Sequence, residues 1–279
     1  MSCLFVEHLT VIDCAYLDVG RGLLGQSWIV DLELDGALDE QSMVLDFGAV
    51  KKRLKRAIDD SVDHSLLVPG LAPQLSWTQD GDTVDLRFDS AVGAYHHRSP
   101  MLAVCRLDAA AVDAGAVARY LIPRLRRELP SNVGALRLQL REEIIDGAHY
   151  QYVHGLKKHQ GACQRIAHGH RSRVEVRVDG ARDPALEAAV ASAWTDIYLG
   201  TRDDLVAQSQ AHCQFAYTSQ EGRYELSVPR ARCDLIETDS TVECIAAHLL
   251  ARLQSQRPGR SIEVRAYEGV MKGAISRSV

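Results

Sequence analysis

Three histidines, one cysteine and an Asp-His dipeptide carry most of the chemistry this chain can offer. His168-Gly169-His170 on an extended strand puts both imidazoles on one face, because strand side chains alternate with a period of two. His154 ends the upstream run Tyr150-Gln151-Tyr152-Val153-His154 and can return across a hairpin to complete a set. Neutral imidazole is a common zinc ligand, and three protein ligands with one open position describe a catalytic rather than a structural metal site. Spacing alone leaves a second reading open. These are equally the surface histidines of a His-rich stretch, since His149 and His159 lie nearby.

Cys163 falls between the first histidine and the pair. A thiol near a cation has its pKa lowered toward neutrality, which suits it to proton transfer, although a lone cysteine is more often a small buried residue. Asp63-His64 can form a relay in which the carboxylate orients and charges the imidazole. Such a dipeptide is by itself more often a polar pair at a helix end.

The elements that must position these groups are written twice. The run from Leu24 to Gly36 reads like the run from His168 to Gly180, with Gly25 and Gly36 recurring 144 residues on as Gly169 and Gly180. Both runs alternate apolar and polar residues before an Asp-Gly signal, the mark of a half-buried strand entering a turn. A second pair, Leu136–Glu142 and Ile262–Glu268, recurs at 126 residues, so the second copy is shorter. Part of the loss is visible, because 38–47 has no clear counterpart after Gly180. The join falls near Asp146-Gly147.

Each copy reads strand, strand, helix, strands, helix, strand. Val50, Leu54 and Ile58 predict a helix over 47–61, and Val117, Leu121 and Leu125 one over 113–128 that Pro123 must kink or displace. Pro184 starts a third at a favourable first-turn position, over 184–198, and the fourth covers 240–254. This order indicates an α+β fold with helices on one face of an antiparallel sheet. The basic run Lys51–Arg56 could grip a polyphosphate, but reads better as a solvated helix face. His96-His97, Cys213, Cys233 and Cys244 have no partner spacing and receive no role. Trp77–Thr83 is a turn signal in a stretch, 71–90, expected to add a hairpin to copy one.

Composition narrows the function classes. The chain has 279 residues, with 32 Lys+Arg against 37 Asp+Glu and 46% apolar residues. That balance lacks the basic excess of a nucleic-acid binder, and the apolar content is that of a globular protein. No run approaches a membrane span, and the first residues lack the pattern of a secretory signal. Seven irregularly spaced cysteines without Cys-x-x-Cys argue against a disulfide framework and for a reducing compartment. The expectation is a cytoplasmic chain of two domains.

Taken together, the motifs resemble the 6-pyruvoyl-tetrahydropterin synthase family and its bacterial branch, the 6-carboxytetrahydropterin synthases of queuosine synthesis. That family reads, in order, an aromatic-x-Ala-x-His strand, a catalytic Cys, His-Gly-His, an Asp-Phe helix start, Asp-His-x-x-Leu, a Thr-x-Glu-Asn helix start and a terminal glutamate. Copy two supplies Tyr150–His154, Cys163, His168-Gly169-His170, Thr241-Val242-Glu243-Cys244 and Tyr267-Glu268. Copy one supplies Asp46-Phe47, Asp63-His64-Ser65-Leu66-Leu67 and Arg141-Glu142. In copy one, Tyr16, Leu24 and Gln26 stand where the three histidines belong. In copy two the Asp-His segment is missing, and Leu199–Leu205 is taken as the equivalent region.

The resemblance implies two tandem tunnelling-fold domains, each a four-stranded antiparallel sheet with two helices on one face. Residues 1–146 would be a degenerate domain that keeps the Asp-His pair, and 147–279 a zinc-bearing one. It implies Zn2+ on His154, His168 and His170, acid/base work by Cys163, Asp63 and His64, and pterin contacts from Glu268 and Thr241, with Glu142 the counterpart of Glu268 in copy one. The implied reaction is a lyase step on 7,8-dihydroneopterin triphosphate at a composite site between the two domain types, in one chain or between chains. It further implies a ring-like homo-oligomer and no nucleic-acid or membrane partner. The alternatives are a non-catalytic pterin- or purine-binding or scaffold protein of the same fold, and a zinc enzyme with another pterin substrate.

Overall fold

A computed structural model of the chain describes residues 2–278. Copy one runs β1 (Ser2–Asp18), β2 (Gly22–Gly36), α1 (Phe47–Asp59), β3 (Leu66–Pro69), β4 (Leu75–Asp80), β5 (Thr83–Ser90), β6 (Gly93–Pro100), β7 (Val104–Leu107), α2 (Ala114–Arg126) and β8 (Val133–Arg141). Copy two runs β9 (His149–His154), β10 (His168–Val178), β11 (Ala181–Arg182), α3 (Pro184–Ala193), β12 (Ile197–Thr201), β13 (Leu205–Gln208), β14 (His212–Ser219), β15 (Gly222–Pro229), β16 (Cys233–Ile236), α4 (Val242–Gln256), β17 (Ile262–Tyr267) and β18 (Gly273–Arg277).

All four helices begin on a side-chain cap that satisfies an otherwise orphaned backbone N–H. Asp46, Asp113, Asp183 and Thr241 accept from Gly48, Ala116, Leu186 and Cys244 respectively. In α1 the spacing of Val50, Leu54 and Ile58 buries one stripe, while Lys51, Lys52, Arg53, Lys55 and Arg56 face water. The basic run is therefore a solvated face. Pro123 lies inside the last turn of α2 without shifting its start. α3 ends earlier than the sequence pattern suggests, because the chain turns at Asp196 with a left-handed φ of 56°.

Each copy builds its own sheet. The first has the order β7-β3-β1-β2-β8, and the second β16-β12-β9-β10-β17-β18. The antiparallel core of each is flanked by two parallel strands, β3 and β7 or β12 and β16, so both sheets are wider than four strands. The repeat offsets are visible in the register. Val30 pairs with Leu140 and Val174 with Ala266, which makes β8 and β17 equivalent. The stretch 71–90 belongs to a meander, β4-β5-β6, but copy two has its own, β13-β14-β15. The two join through β6 and β15 into one six-stranded sheet. The added structure is thus not confined to copy one.

Three cores follow. Helices α1 and α2 cover one face of the first sheet, with Cys14, Tyr16, Leu24 and Trp28 beneath them. Helices α3 and α4 cover the second over Tyr150, Tyr152, Val174 and Val176. The opposite faces meet each other, joining Ala15, Leu17 and Leu23 to Val153, Ile166 and Tyr198. At the centre of that contact the backbones of β2 and β10 cross at two glycines. A Cβ on Gly25 would stand 2.0 Å from Tyr152 O, and one on Gly169 2.6 Å from Gly25 Cα. This close approach explains why both repeats keep a glycine at this position. No helix among the described residues is long and apolar enough to cross a membrane, and all seven cysteines are free.

Candidate active site

The hairpin of β9 and β10 places the three histidines. His154 pairs with His168, and Tyr152 with His170. The three imidazoles are fully buried or nearly so, and their ligand atoms lie within 4.8 Å of one another. Two of the rings are oriented by hydrogen bonds through Nδ1. His154 Nδ1 donates to Ser240 O at 3.0 Å, and His168 Nδ1 to Arg165 O at 3.0 Å. His170 Nδ1 lies 3.1 Å from Asp13 Oδ1. A carbonyl oxygen can only accept, so the proton of His154 and His168 sits on Nδ1 and the Nε2 lone pair is free. Nε2 of all three is buried without a partner. Burial above all, and the neighbouring imidazoles, hold His154 and His168 well below the usual histidine pKa. Three converging nitrogens, two of them on rings whose far side is hydrogen-bonded to a backbone carbonyl, fit a metal ion.

Cys163 sits on a short 3-10 turn, Ala162–Gln164, in the loop between β9 and β10. The β14–β15 hairpin braces that loop. Buried Gln164 accepts at Oε1 from Ser219 Oγ (2.6 Å) and Glu221 N (2.9 Å), and its carbonyl accepts from Tyr217 OH. Arg165 then ties Glu221 (3.0 Å) to Ser65 Oγ of copy one (3.0 Å). The added hairpin thereby holds the cysteine loop against the strand entry that carries His64.

Asp63 and His64 arrive from copy one of the same chain. His64 Nδ1 donates to Asp63 Oδ2 at 2.7 Å, and its ring centre is 5.2 Å from that of His168. His64, Cys163 and His168 form a second cluster with ligand atoms within 4.8 Å. Burial alone would lower the His64 pKa. The Asp63 hydrogen bond and neighbouring Cys163 overcome that and push it up to about 10. His64 adopts a left-handed φ of 51°, a strained conformation outside glycine. Its N–H donates to Asp13 O at 2.6 Å.

The structure corrects the copy-two equivalent of this pair. Ala15 pairs with Leu66, and Val153 with Tyr198, so Asp63-His64 corresponds to Thr195-Asp196 rather than to any part of Leu199–Leu205. Asp196 repeats the left-handed φ but has no imidazole. In the same register Tyr16, Leu24 and Gln26 match His154, His168 and His170.

Glu268 lies on the turn from β17 to β18, where its N–H donates to Lys272 O. Its carboxylate is 3.8 Å from Lys272 Nζ, which is 3.5 Å from Asp13 Oδ2. Thr241 Oγ1 is engaged in capping α4, while its neighbour Ser240 is the one that reaches His154. Glu142 stands apart from this cluster, accepting from Gln26 Nε2 at 2.9 Å. Sequence reasoning missed Asp13, Ser240, Arg165 and Lys272. Only Asp13 carried a signal, as a carboxylate in the otherwise apolar run Val11–Leu17, where an acid is rarely buried unless paired.

The family comparison agrees with this architecture. The model of the family described as 6-pyruvoyl tetrahydropterin synthase matches residues 21–152 and again 143–278. The chain belongs to the 6-pyruvoyl tetrahydropterin synthase family. It carries two synthase domains in tandem, which supports a tetrahydropterin synthase-like function of the lyase type. Among solved structures, 6-pyruvoyltetrahydropterin synthase from Plasmodium vivax is similar at 18% identity and a TM-score of 0.42, covering 50% of this chain and 90% of that one. The synthase from Plasmodium falciparum is similar at 16% identity and a TM-score of 0.41, with the same coverage. No curated protein matches the chain.

Proposed function

We propose that this synthase-family chain is a zinc-dependent lyase that acts on 7,8-dihydroneopterin triphosphate with loss of triphosphate, giving a 6-pyruvoyl- or 6-carboxy-tetrahydropterin-type product. One composite site per chain is shared by the two copies. The observation that carries this reading is the juxtaposition of three buried imidazoles, each with an unpartnered Nε2, and the Asp63–His64–Cys163 set.

His154, His168 and His170 would hold the metal, which supplies a Lewis acid that lowers the pKa of substrate hydroxyls and steadies developing oxyanions. Cys163 and His64 exchange protons with the substrate side chain, and Asp63 fixes the imidazole that does so. Glu268 accepts hydrogen bonds from the pterin amino group and N3. The outer strands β7 and β8 of one sheet, and β16 and β18 of the other, end their sheets within a single chain, which supports self-association into a ring, because open edges invite pairing.

Zinc-loaded protein incubated with 7,8-dihydroneopterin triphosphate is expected to release triphosphate and yield a pyruvoyl or carboxy product by mass spectrometry. Cys163→Ala and His64→Ala should each lower kcat by about 10²–10⁴. Mixing the two variant chains should restore nothing, since both groups serve one chain's site. Absence of turnover by the wild type overturns the reaction, and recovery on mixing overturns the single-chain site.

A further inference from the structure

Asp13 lies in copy one, yet it reaches His170, the Asp63–His64 pair and the Glu268 turn. Its carboxylate is buried, at 3% exposure. Oδ1 accepts from Ser27 Oγ and lies 3.1 Å from His170 Nδ1, while Oδ2 lies 3.5 Å from Lys272 Nζ. Its backbone holds the relay, with Asp13 N donating to Asp63 Oδ1 at 2.8 Å and Asp13 O accepting from His64 N at 2.6 Å. The Glu268 turn is seated on it. Gly269 has a φ of 68°, and a Cβ there would stand 2.4 Å from Asp13 Oδ1.

The other copy supplies an independent argument. The equivalent of Asp13 is Gln151, one residue before the Tyr152 that matches Cys14. Gln151 donates to Gly25 O at 2.7 Å and faces a copy in which Tyr16, Leu24 and Gln26 replace the three clustered histidines. The carboxylate is present only on the side that has an imidazole to orient.

We propose that Asp13 is a positioning residue that acts across the two copies, fixing the His170 ring for metal binding while Lys272 links the same carboxylate to the Glu268 turn. The inference rests on the metal reading above. A carboxylate accepting from the far nitrogen of a ligand imidazole fixes its tautomer and raises its basicity, and losing such a partner typically costs 10–100-fold in metal affinity. Asp13→Asn keeps the shape and both backbone hydrogen bonds to the relay but removes the charge. Lys272→Met removes the other partner and leaves the His170 contact.

Zinc affinity of metal-stripped protein, read by chelator competition well below the melting point, tests this. Asp13→Asn should bind zinc about 10–100-fold more weakly than the wild type. Lys272→Met should bind within a few-fold of wild type but show a raised KM for the pterin substrate. Equal zinc affinity in wild type and Asp13→Asn overturns the proposal and leaves the metal reading standing. Equal losses in both variants also overturn it, because the effect is then one of local charge. A wild type that takes up no zinc overturns the metal reading itself, and this inference with it. Nitrogen-15 spectra of the metal-free wild type need no substitution: a proton on Nδ1 of His170 is expected, and a ring protonated on Nε2 alone overturns the proposal.

Discussion

The repeat assembles the same positions twice across the interface between the copies. In one assembly, copy two contributes His154, His168, His170 and Glu268, while copy one contributes Asp13, Asp63 and His64. In the other the roles reverse, and the equivalent positions hold Tyr16, Leu24, Gln26 and Glu142 opposite Gln151, Thr195 and Asp196. Backbone geometry is common to both. The glycines cross, the registers match, and His64 and Asp196 share a left-handed φ of 51° and 56°. The chemistry is not. Arg21 fills the second assembly, with Nε 2.9 Å and Nη2 2.5 Å from Asp196 and Nη2 2.6 Å from Gln151 Oε1. Glu142 is engaged by Gln26 and lies 3.3 Å from Arg171 Nε. A fixed guanidinium there serves the buried Asp196. Sheet packing preserves what both assemblies need for folding, and leaves the reactive side chains free to diverge.

The largest consequence concerns metal content. One metal ion per chain is expected, and His168→Leu, which installs the residue found at position 24, should abolish binding. That loss should exceed the ~10–100-fold typical of losing a partner behind a ligand. Metal analysis of purified chains decides it. Two ions per chain, or retention of the ion by His168→Leu, would break the contrast between the assemblies.

How much of this was legible depends on how far apart the partners lie in sequence. The period-two alternation around His168-Gly169-His170 and the helical spacing of Val50, Leu54 and Ile58 are local patterns, so strand, helix and the shared glycine could be read directly. Repetition extended that reach, aligning β8 with β17 through Glu142 and Glu268. Nothing local marks Ser240 as the acceptor for His154, or Arg165 as the link between Glu221 and Ser65, because those partners lie 86, 56 and 100 residues apart and meet only in the folded chain. Thr195-Asp196 was missed for a related reason. Its likeness to Asp63-His64 lies in a backbone conformation and a strand register, neither of which residue identity discloses.

The second assembly can be tested through its own cation. Arg21→Ala leaves Asp196, 4% exposed, without its partner. Stranding one member of a fully buried pair costs about 3–5 kcal/mol. Arg21 is itself half exposed, so water can relieve part of that, and a loss of about 2–3 kcal/mol is expected. Arg21→Ala/Asp196→Ala should recover part of the loss. Denaturant titration of the three proteins reads the coupling, and zinc stoichiometry should stay the same throughout. An unchanged Arg21→Ala stability would mean that the guanidinium is incidental and the assembly merely vacant of chemistry.

The smallest effect at neutral pH lies where the copies join edge to edge, and it appears only in acid. The run Gly93–Pro100 is matched by Gly222–Pro229, which makes Leu226 the counterpart of His97, and the two pair directly across β6 and β15. His97 is 2% exposed, with Nε2 2.9 Å from Ser99 Oγ and Nδ1 unpartnered. Burial, with His96 adding in the same direction, lowers its pKa to about 3. A histidine whose folded pKa lies below its unfolded value of about 6.5 is bound to fewer protons in the native state than in the unfolded one between those limits. Its contribution is therefore neutral above pH ~6.5, and stability falls as pH drops from there toward 3. His97→Leu gives both sides of the seam the same residue and removes the titration. Denaturation at pH 7 and at pH 4.5 should show the wild type losing about 2–3 kcal/mol more than the variant between the two. Equal acid losses would mean that His97 gains a proton without cost, and that the seam opens to water where the structure closes it.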